Sequence, residues 1–384
     1  MFYPPGLLTW AAAVSRQMPH LSRSQAWVLA LFSFATSVTQ SCGMSHVACF
    51  LAELLGQSDN TVRQRLREWL YDAPDKRGGQ RQQVVVERCF NPLLSWILEL
   101  WDPDDAWLML ALDATTLRQT FTVLSVSVLV GRCAIPVAWA IVPATRPGAW
   151  RPHWHRLLRQ IRFKRDDLTV GVLADRGLYA KWLFVQIVQQ GWHPLLRVNA
   201  QGYCQRRGVA QRLALKELAR QCRGSWWHEA VICFSGPQQL ACTLLALSAP
   251  DQQQPWLLVT DLAPETVSPT WYGLRMWIEF GYKAVKSAGF HWERTRMTDA
   301  HRAERLWLVL ALASLRALTL SPPAPTPVLS VRSTYPRLSL LKQGLVRHLA
   351  RLIRQRDCPL FPLPTFSLPP SPCLEYLTQL KTYP

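Results

Sequence analysis

Tyr272, Arg275, Glu279 and Lys286 stand at i, i+3, i+7 and i+14 in the segment from Trp271 to Lys286. On an α-helix, at about 100° per residue, these positions fall within a stripe roughly 60° wide, and Lys283 lies at its edge. One face thus gathers a carboxylate, a guanidinium, two ammonium groups and a phenol. That set suits a metal ion beside a phosphodiester: the carboxylate holds the metal, and the cations and phenol take phosphate oxygens. A polar stripe is also what a solvated helix face looks like, and Arg275–Glu279 has the spacing of an ordinary ion pair. The rest of the segment, including Trp271, Leu274, Trp277, Ile278 and Phe280, is apolar. A charged stripe on such a helix faces a cleft or a bound polyanion.

The spacing Tyr-x2-Arg-x3-Glu-x6-Lys resembles the signature of one large group of insertion-sequence transposases, the Tyr-Arg-Glu-Lys (YREK) group of the DDE type. The resemblance implies two upstream aspartates, each at the end of a buried strand. Asp113 closes the apolar run from Trp107, and Asp175 closes the run from Leu168 before a turn at Arg176-Gly177. Asp102, Asp104, Asp105, Asp166 and Asp167 precede strands in polar turns and read as turn or cap residues. Asp113, Asp175 and Glu279 reproduce the family order. The long gap from Asp175 to Glu279 holds a β-rich insertion in this group. Val231–Phe234, Leu240–Leu247 and Pro255–Thr260 read as its strands, separated by Gly, Pro, Gln and Ser.

The resemblance, over residues 105 to 318, implies an α/β fold: a ribonuclease-H-like catalytic domain with a β-rich insertion, preceded by a helical DNA-binding region. It implies Mg²⁺-dependent DNA cleavage and strand transfer at the ends of an insertion sequence. Two ions are expected, with Mn²⁺ able to substitute. Asp113 would hold both, and Asp175 and Glu279 one each. Tyr272, Arg275 and Lys286 would grip phosphates at the transposon end; Lys283 is added from the helical stripe. Related enzymes use a Trp of the insertion to stack on a flipped base. Trp256 is the candidate here, with Trp226 and Trp227 behind it; in the plainer reading Trp256 is a core residue of a strand. The implied partners are double-stranded DNA, as transposon ends and target, and a second subunit in a synaptic homodimer.

Composition fits this reading. Forty-three Lys and Arg against twenty-five Asp and Glu give a formal charge of +18, which predicts a polyanionic partner. Ten scattered Cys show no zinc spacing and suit reduced thiols in a cytoplasmic, nucleoid-associated bacterial protein. The N-terminus carries no signal-peptide pattern. Phe121–Val142 is read as a hairpin of buried strands turning at Gly131-Arg132, and Leu306–Leu320 as a buried helix. Arg132 and Arg316 inside these runs argue against a membrane protein. A non-catalytic DNA-binding protein derived from a transposase stays open as the alternative.

Residues 1–80 read as helical. Helices over Ser24–Thr39, Val47–Leu55 and Asn60–Leu70, with a turn at Gly56 and a cap at Ser58 or Asp59, resemble a helix-turn-helix. Arg63, Arg65 and Arg67 would meet DNA, or would form the solvated face of a plain helical hairpin. Tyr71–Gln83 is a polar connector to the catalytic region, 100–320, whose insertion spans 200–262. Residues 321–384 comprise a Pro-rich linker, a basic amphipathic helix over Leu338–Arg356 and a loosely ordered tail. That helix would contact DNA, a second subunit or anionic lipid, or pack on the catalytic domain.

Overall fold

The structure, a computed structural model, describes residues 3–77, 81–144, 150–163, 165–206, 208–222, 225–248, 254–322 and 338–368. The chain is mixed α/β, as expected. It opens with α1 (Pro5–Gln17), α2 (Arg23–Thr39), α3 (Met44–Leu55) and α4 (Asp59–Leu70). The Ser22 and Gln25 side chains cap α2 reciprocally. Gly56 ends α3 at φ +59°, a left-handed conformation that favours glycine, and the Ser58 hydroxyl accepts the Thr61 N–H to start α4. α1 falls in the region read as helical, where no individual helix was placed before Ser24; it buries Leu7, Trp10 and Val14.

After α5 (Phe90–Glu99) come β1 (Trp107–Leu117), β2 (Phe121–Val130), β3 (Cys133–Pro143), α6 (Arg151–Gln160), β4 (Thr169–Ala174), α7 (Lys181–Gln189) and β5 (His193–Arg197). The expected insertion contains β6 (Tyr203–Arg206), β7 (Arg212–Ala214), α8 (Leu215–Gln221), β8 (Trp226–Cys233), β9 (Leu240–Leu247) and β10 (Trp256–Thr260). All ten strands form one sheet in the order β3-β2-β1-β4-β5-β10-β9-β8-β6-β7. β1, β4 and β5 are parallel, and the insertion extends the sheet antiparallel from β5. The β2–β3 hairpin turns where expected. Gly131 and Arg132 both have positive φ, 58° and 57°, the primed turn that matches strand twist.

Two local expectations are corrected. Asp113 does not close its strand: β1 continues to Leu117, paired with β2. The parallel pairing with β4, however, ends at Leu112–Ala174, one residue before Asp113 and Asp175. Nor is Trp271–Lys286 one α-helix. Pro269–Arg275 is 3₁₀, α9 (Met276–Lys283) is α-helical, and Ala284–Ala288 is a π-helical turn. A wide turn of this kind recurs at functional sites.

α10 (Ala300–Thr319) is buried almost throughout and packs on β3, α2, α4 and α11 (Leu340–Ile353). One continuous hydrophobic core therefore includes the N-terminal helices and the sheet. Arg305 of α10 donates to the carbonyls of Leu70 and Val84 and pairs with Asp72, pinning both ends of the connector. On α11, the buried His348 ring meets Ser37 of α2 at 2.5 Å and accepts from Nε of Arg316 at 3.2 Å. Most of the Pro-rich linker lies outside the described residues. The first part of the tail is held in place: the Gly131 N–H donates to the Pro364 carbonyl at 3.0 Å, and Phe366 packs edge-on against Trp277. No described helix is long and apolar enough to cross a membrane.

Candidate active site

Three neighbouring parallel strands set one row of the sheet. Leu112, Ala174 and Leu196 are in register across β1, β4 and β5. The next residue on each strand is Asp113, Asp175 and Arg197. Each follows an apolar run that fixes its strand in the core, so the polar side chains emerge together at the carboxyl edge of the parallel strands, a common place for ligands. Arg197 was not singled out from the sequence. Its guanidinium lies 3.7 Å from Asp175 Oδ1.

The 269–286 segment lays its polar residues over this row. The Tyr272 hydroxyl donates to Asp175 Oδ1 at 3.2 Å. Arg275 reaches two acids, Asp113 Oδ2 at 3.1 Å and Glu279 Oε1 at 2.9 Å. The structure thus brings Asp113, Asp175, Glu279, Tyr272 and Arg275 into one cluster. The Glu279 side chain is 57 % exposed, against 20 % for Asp113, and Arg275 holds it. Lys286 is half-buried, its position set by the π-helical turn, while Lys283 points to solvent and pairs with none of the acids.

Burial pushes the Asp113 carboxyl above its ordinary value; Arg275 and the Ala114 N–H oppose the shift, and Asp175 and Glu279 add to it. Burial also raises the Tyr272 phenol and keeps it a neutral donor. For Arg275 burial acts downward, but Tyr272 and the three acids hold the guanidinium's pKa above its usual value. Burial lowers Lys286, opposed by Glu293 and Asp113.

Tyr282 is the second residue the sequence reading missed. Its hydroxyl meets Ser125 Oγ at 2.7 Å and donates to the main-chain carbonyl of Asp113 at 3.1 Å. Gly281 beside it lets α9 lie directly on β3, because a Cβ there would stand 2.8 Å from the Ala134 carbonyl oxygen. Close backbone approach requires glycine at this position.

Trp256 begins β10, is partly buried and packs edge-on against Tyr272 with ring centroids 5.0 Å apart. It therefore adjoins the cluster. Trp226 is exposed at the start of β8 and packs against His228. Arg63, Arg65 and Arg67 lie far along the chain, on α4. Arg63 and Arg67 share a face, but i,i+2 spacing turns Arg65 to another, and Arg63 is paired with Asp59 at 2.8 Å.

As the side chains stand, no group of three Asp, Glu, His or Cys among the described residues is arranged to hold a metal ion. The donor chemistry nevertheless fits a hard divalent cation. Asp113 and Asp175 follow the paired residues Leu112 and Ala174 of neighbouring strands, Glu279 meets Asp113 through Arg275, and the Arg275 guanidinium supplies positive charge between Asp113 and Glu279.

Residues 139–316 match the family model described as the transposase DDE domain. The match includes Asp175, Glu279 and all four signature positions, while Asp113 precedes it. No curated protein matches the chain. Among solved structures, the crystal structure of human ENDOV aligns at 15% identity over 59% of this chain and 91% of that one, with a TM-score of 0.25. The family match supports a transposase DDE domain over residues 139–316.

Proposed function

We propose that this protein is a transposase of the YREK group that cuts DNA at the ends of an insertion sequence and joins those ends to a target. The observation that carries the reading is the meeting of Asp113, Asp175 and Glu279 with Arg275 and Tyr272 at one sheet edge. Asp113, Asp175 and Glu279 would hold two Mg²⁺ ions, or Mn²⁺ in their place. Such ions, when bound, activate the attacking oxygen of water or a 3′-hydroxyl and stabilise the leaving oxygen.

The chain's own groups do the rest. Tyr282 fixes the Asp113 backbone, and Arg197 offsets the charge of Asp175. Arg275, released from the acids, and Tyr272 take phosphate oxygens of the transposon end. Lys286 and Lys283 add positive charge along the same path. Trp256, beside Tyr272, supplies an aromatic surface for a base displaced from the cleaved end. The α3–α4 hairpin grips the end through α4, where Arg67 is exposed, Arg65 serves a neighbouring face and Arg63 can exchange Asp59 for a phosphate. Residues 1–80 and 100–320 are the proposed reading and cutting regions, 200–262 the insertion, and two copies hold two ends together.

The test is Mg²⁺-dependent cleavage of a plasmid carrying this gene with its natural flanks, wild type beside Glu279→Gln. Cuts at the two boundaries, absent in the variant, support the proposal. A wild-type protein that binds the boundaries but cuts with neither Mg²⁺ nor Mn²⁺ is a DNA-binding protein only.

A further inference from the structure

The helix α6, Arg-Pro-His-Trp-His-Arg-Leu-Leu-Arg-Gln, contains no acidic residue. It buries Trp154, Leu157 and Leu158 and turns Arg151, Arg156 and Arg159 to solvent. A solvated helix face normally interleaves its charges with opposite ones. Here none of the three arginines forms a salt bridge among the described residues. Together with His155 they border an open furrow of about 680 Å³. Beside it, on α7, Trp182 is partly exposed. The Arg151 guanidinium stands 5.2 Å from the centre of its ring, and the His155 ring lies 4.6 Å away at 35°. Burial and neighbouring arginines keep His153 and His155 below the usual histidine value, so the positive charge on this face belongs to the arginines. A basic groove with an aromatic ring at its rim suits nucleic acid.

Topology places this face. The crossovers β3–α6–β4 and β4–α7–β5 run the same way across the sheet, and right-handed connections put both helices on one side. The Gln186 amide donates to the His155 carbonyl at 3.3 Å, holding them side by side. α9 lies on the other side, with Tyr282 over Ser125 and Asp113. Both α6 and α7 begin at the carboxyl edge of the parallel strands, where Asp113 and Asp175 emerge. The catalytic row therefore has a basic surface on each side: Arg275 and Lys286 on one, the arginines of α6 on the other.

We propose that the outer face of α6, with Trp182, docks a second DNA duplex, the target, opposite the duplex held by α9. This rests on the transposase reading, because joining an end to a target requires two duplexes at one catalytic edge. The phosphates meet Arg151, Arg156 and Arg159 without base-specific contacts, so the surface accepts any sequence.

The experiment uses the full chain with Arg151, Arg156 and Arg159 all changed to Gln, and Trp182→Leu as a second variant. Two readouts are taken. The first is joining of a pre-cleaved end to plasmid target, beside binding and cleavage of the end itself. The second, independent of catalysis, is the salt dependence of binding to random-sequence duplex. At limiting target the triple variant should join at least tenfold less, with end binding and end cleavage within twofold of wild type, and higher target concentration should restore joining. Its log–log salt slope should fall by about 2 to 3, near 0.9 per lost phosphate contact. Trp182→Leu should weaken random-duplex binding with the slope unchanged. An unchanged slope overturns the proposal, as does an equal loss of end cleavage and joining, which would mean that this face holds the end. If the wild type neither cuts nor joins, the transposase reading fails, while an unchanged slope would show separately that α6 does not bind duplex.

Discussion

The hydroxyl of Tyr282 donates to the main-chain carbonyl of Asp113 and so ties α9 to the strand that carries the first acid. Ser125 on β2 completes the chain of hydroxyls; it stands directly across from Asp113 in the sheet. Tyr282→Phe keeps the ring and loses both hydrogen bonds. Folding stability should drop by about 1–3 kcal/mol, the typical net value for two buried hydrogen bonds, as read by denaturant unfolding. Cleavage should fall by more than DNA binding does, because Asp113 loses its backbone anchor. Equal effects on both would remove the positioning role.

Arg275 forms a two-pronged bridge between Asp113 and Glu279. Arg275→Ala leaves these carboxylates facing each other without a cation. In chelator the variant should melt below wild type. Mn²⁺ should then raise its melting temperature by more than it raises that of wild type. A thermal-shift titration measures this without any cleavage assay, and an identical Mn²⁺ response in both proteins would contradict it.

Gly281→Ala tests the approach of α9 to β3. The added Cβ meets the backbone of Ala134, and backbone cannot swing aside as a flexible side chain can. A loss of about 1–3 kcal/mol is expected from overpacking. A variant as stable as wild type in urea would show that the two elements separate easily.

His348 makes stability pH-dependent. Burial, then Arg316, holds its pKa well below the ordinary 6.5. Accepting the Arg316 N–H at Nε2 leaves the proton on Nδ1, facing Ser37. The unfolded chain takes up a proton below about pH 6.5 and the folded one does not, so stability is full above that pH and falls as pH drops, by at most about 1.4 kcal/mol per unit. His348→Gln should flatten the profile between about pH 6.5 and pH 5. Unfolding curves across that range decide it.

Much of this site was legible because its signals are local. Asp113 and Asp175 each follow an apolar run, and Tyr272, Arg275 and Glu279 recur at helical spacing. Gly56 and Ser58 mark the α3–α4 turn, and Gly131-Arg132 the hairpin, through backbone rules that act over a few residues. Arg197 was hidden because nothing near it in sequence says that β5 lies beside β4. Tyr282 was hidden among apolar neighbours, and its partner, Asp113, is 169 residues away. The backbone changes from 3₁₀ to α to π along 269–288, and an angular plot of one ideal helix does not contain such a change. The tail looked loose because prolines forbid regular structure, but an irregular strand still docks where its carbonyls find donors, as Pro364 does at Gly131.

α10 is the shared wall between the N-terminal helices and the sheet, with Arg305 gripping the connector and Arg316 meeting α11 through His348. Heredity is constrained by this. Genes for proteins built as beads on a string can exchange beads, and each bead folds in its new company. A chimaera that took residues 3–77 from one relative and the sheet from another would put one unmatched surface against α10. Such hybrids should be purged whichever parent supplies α10, because it packs on both α2 and β3, so the two parts of this chain are expected to share one line of descent.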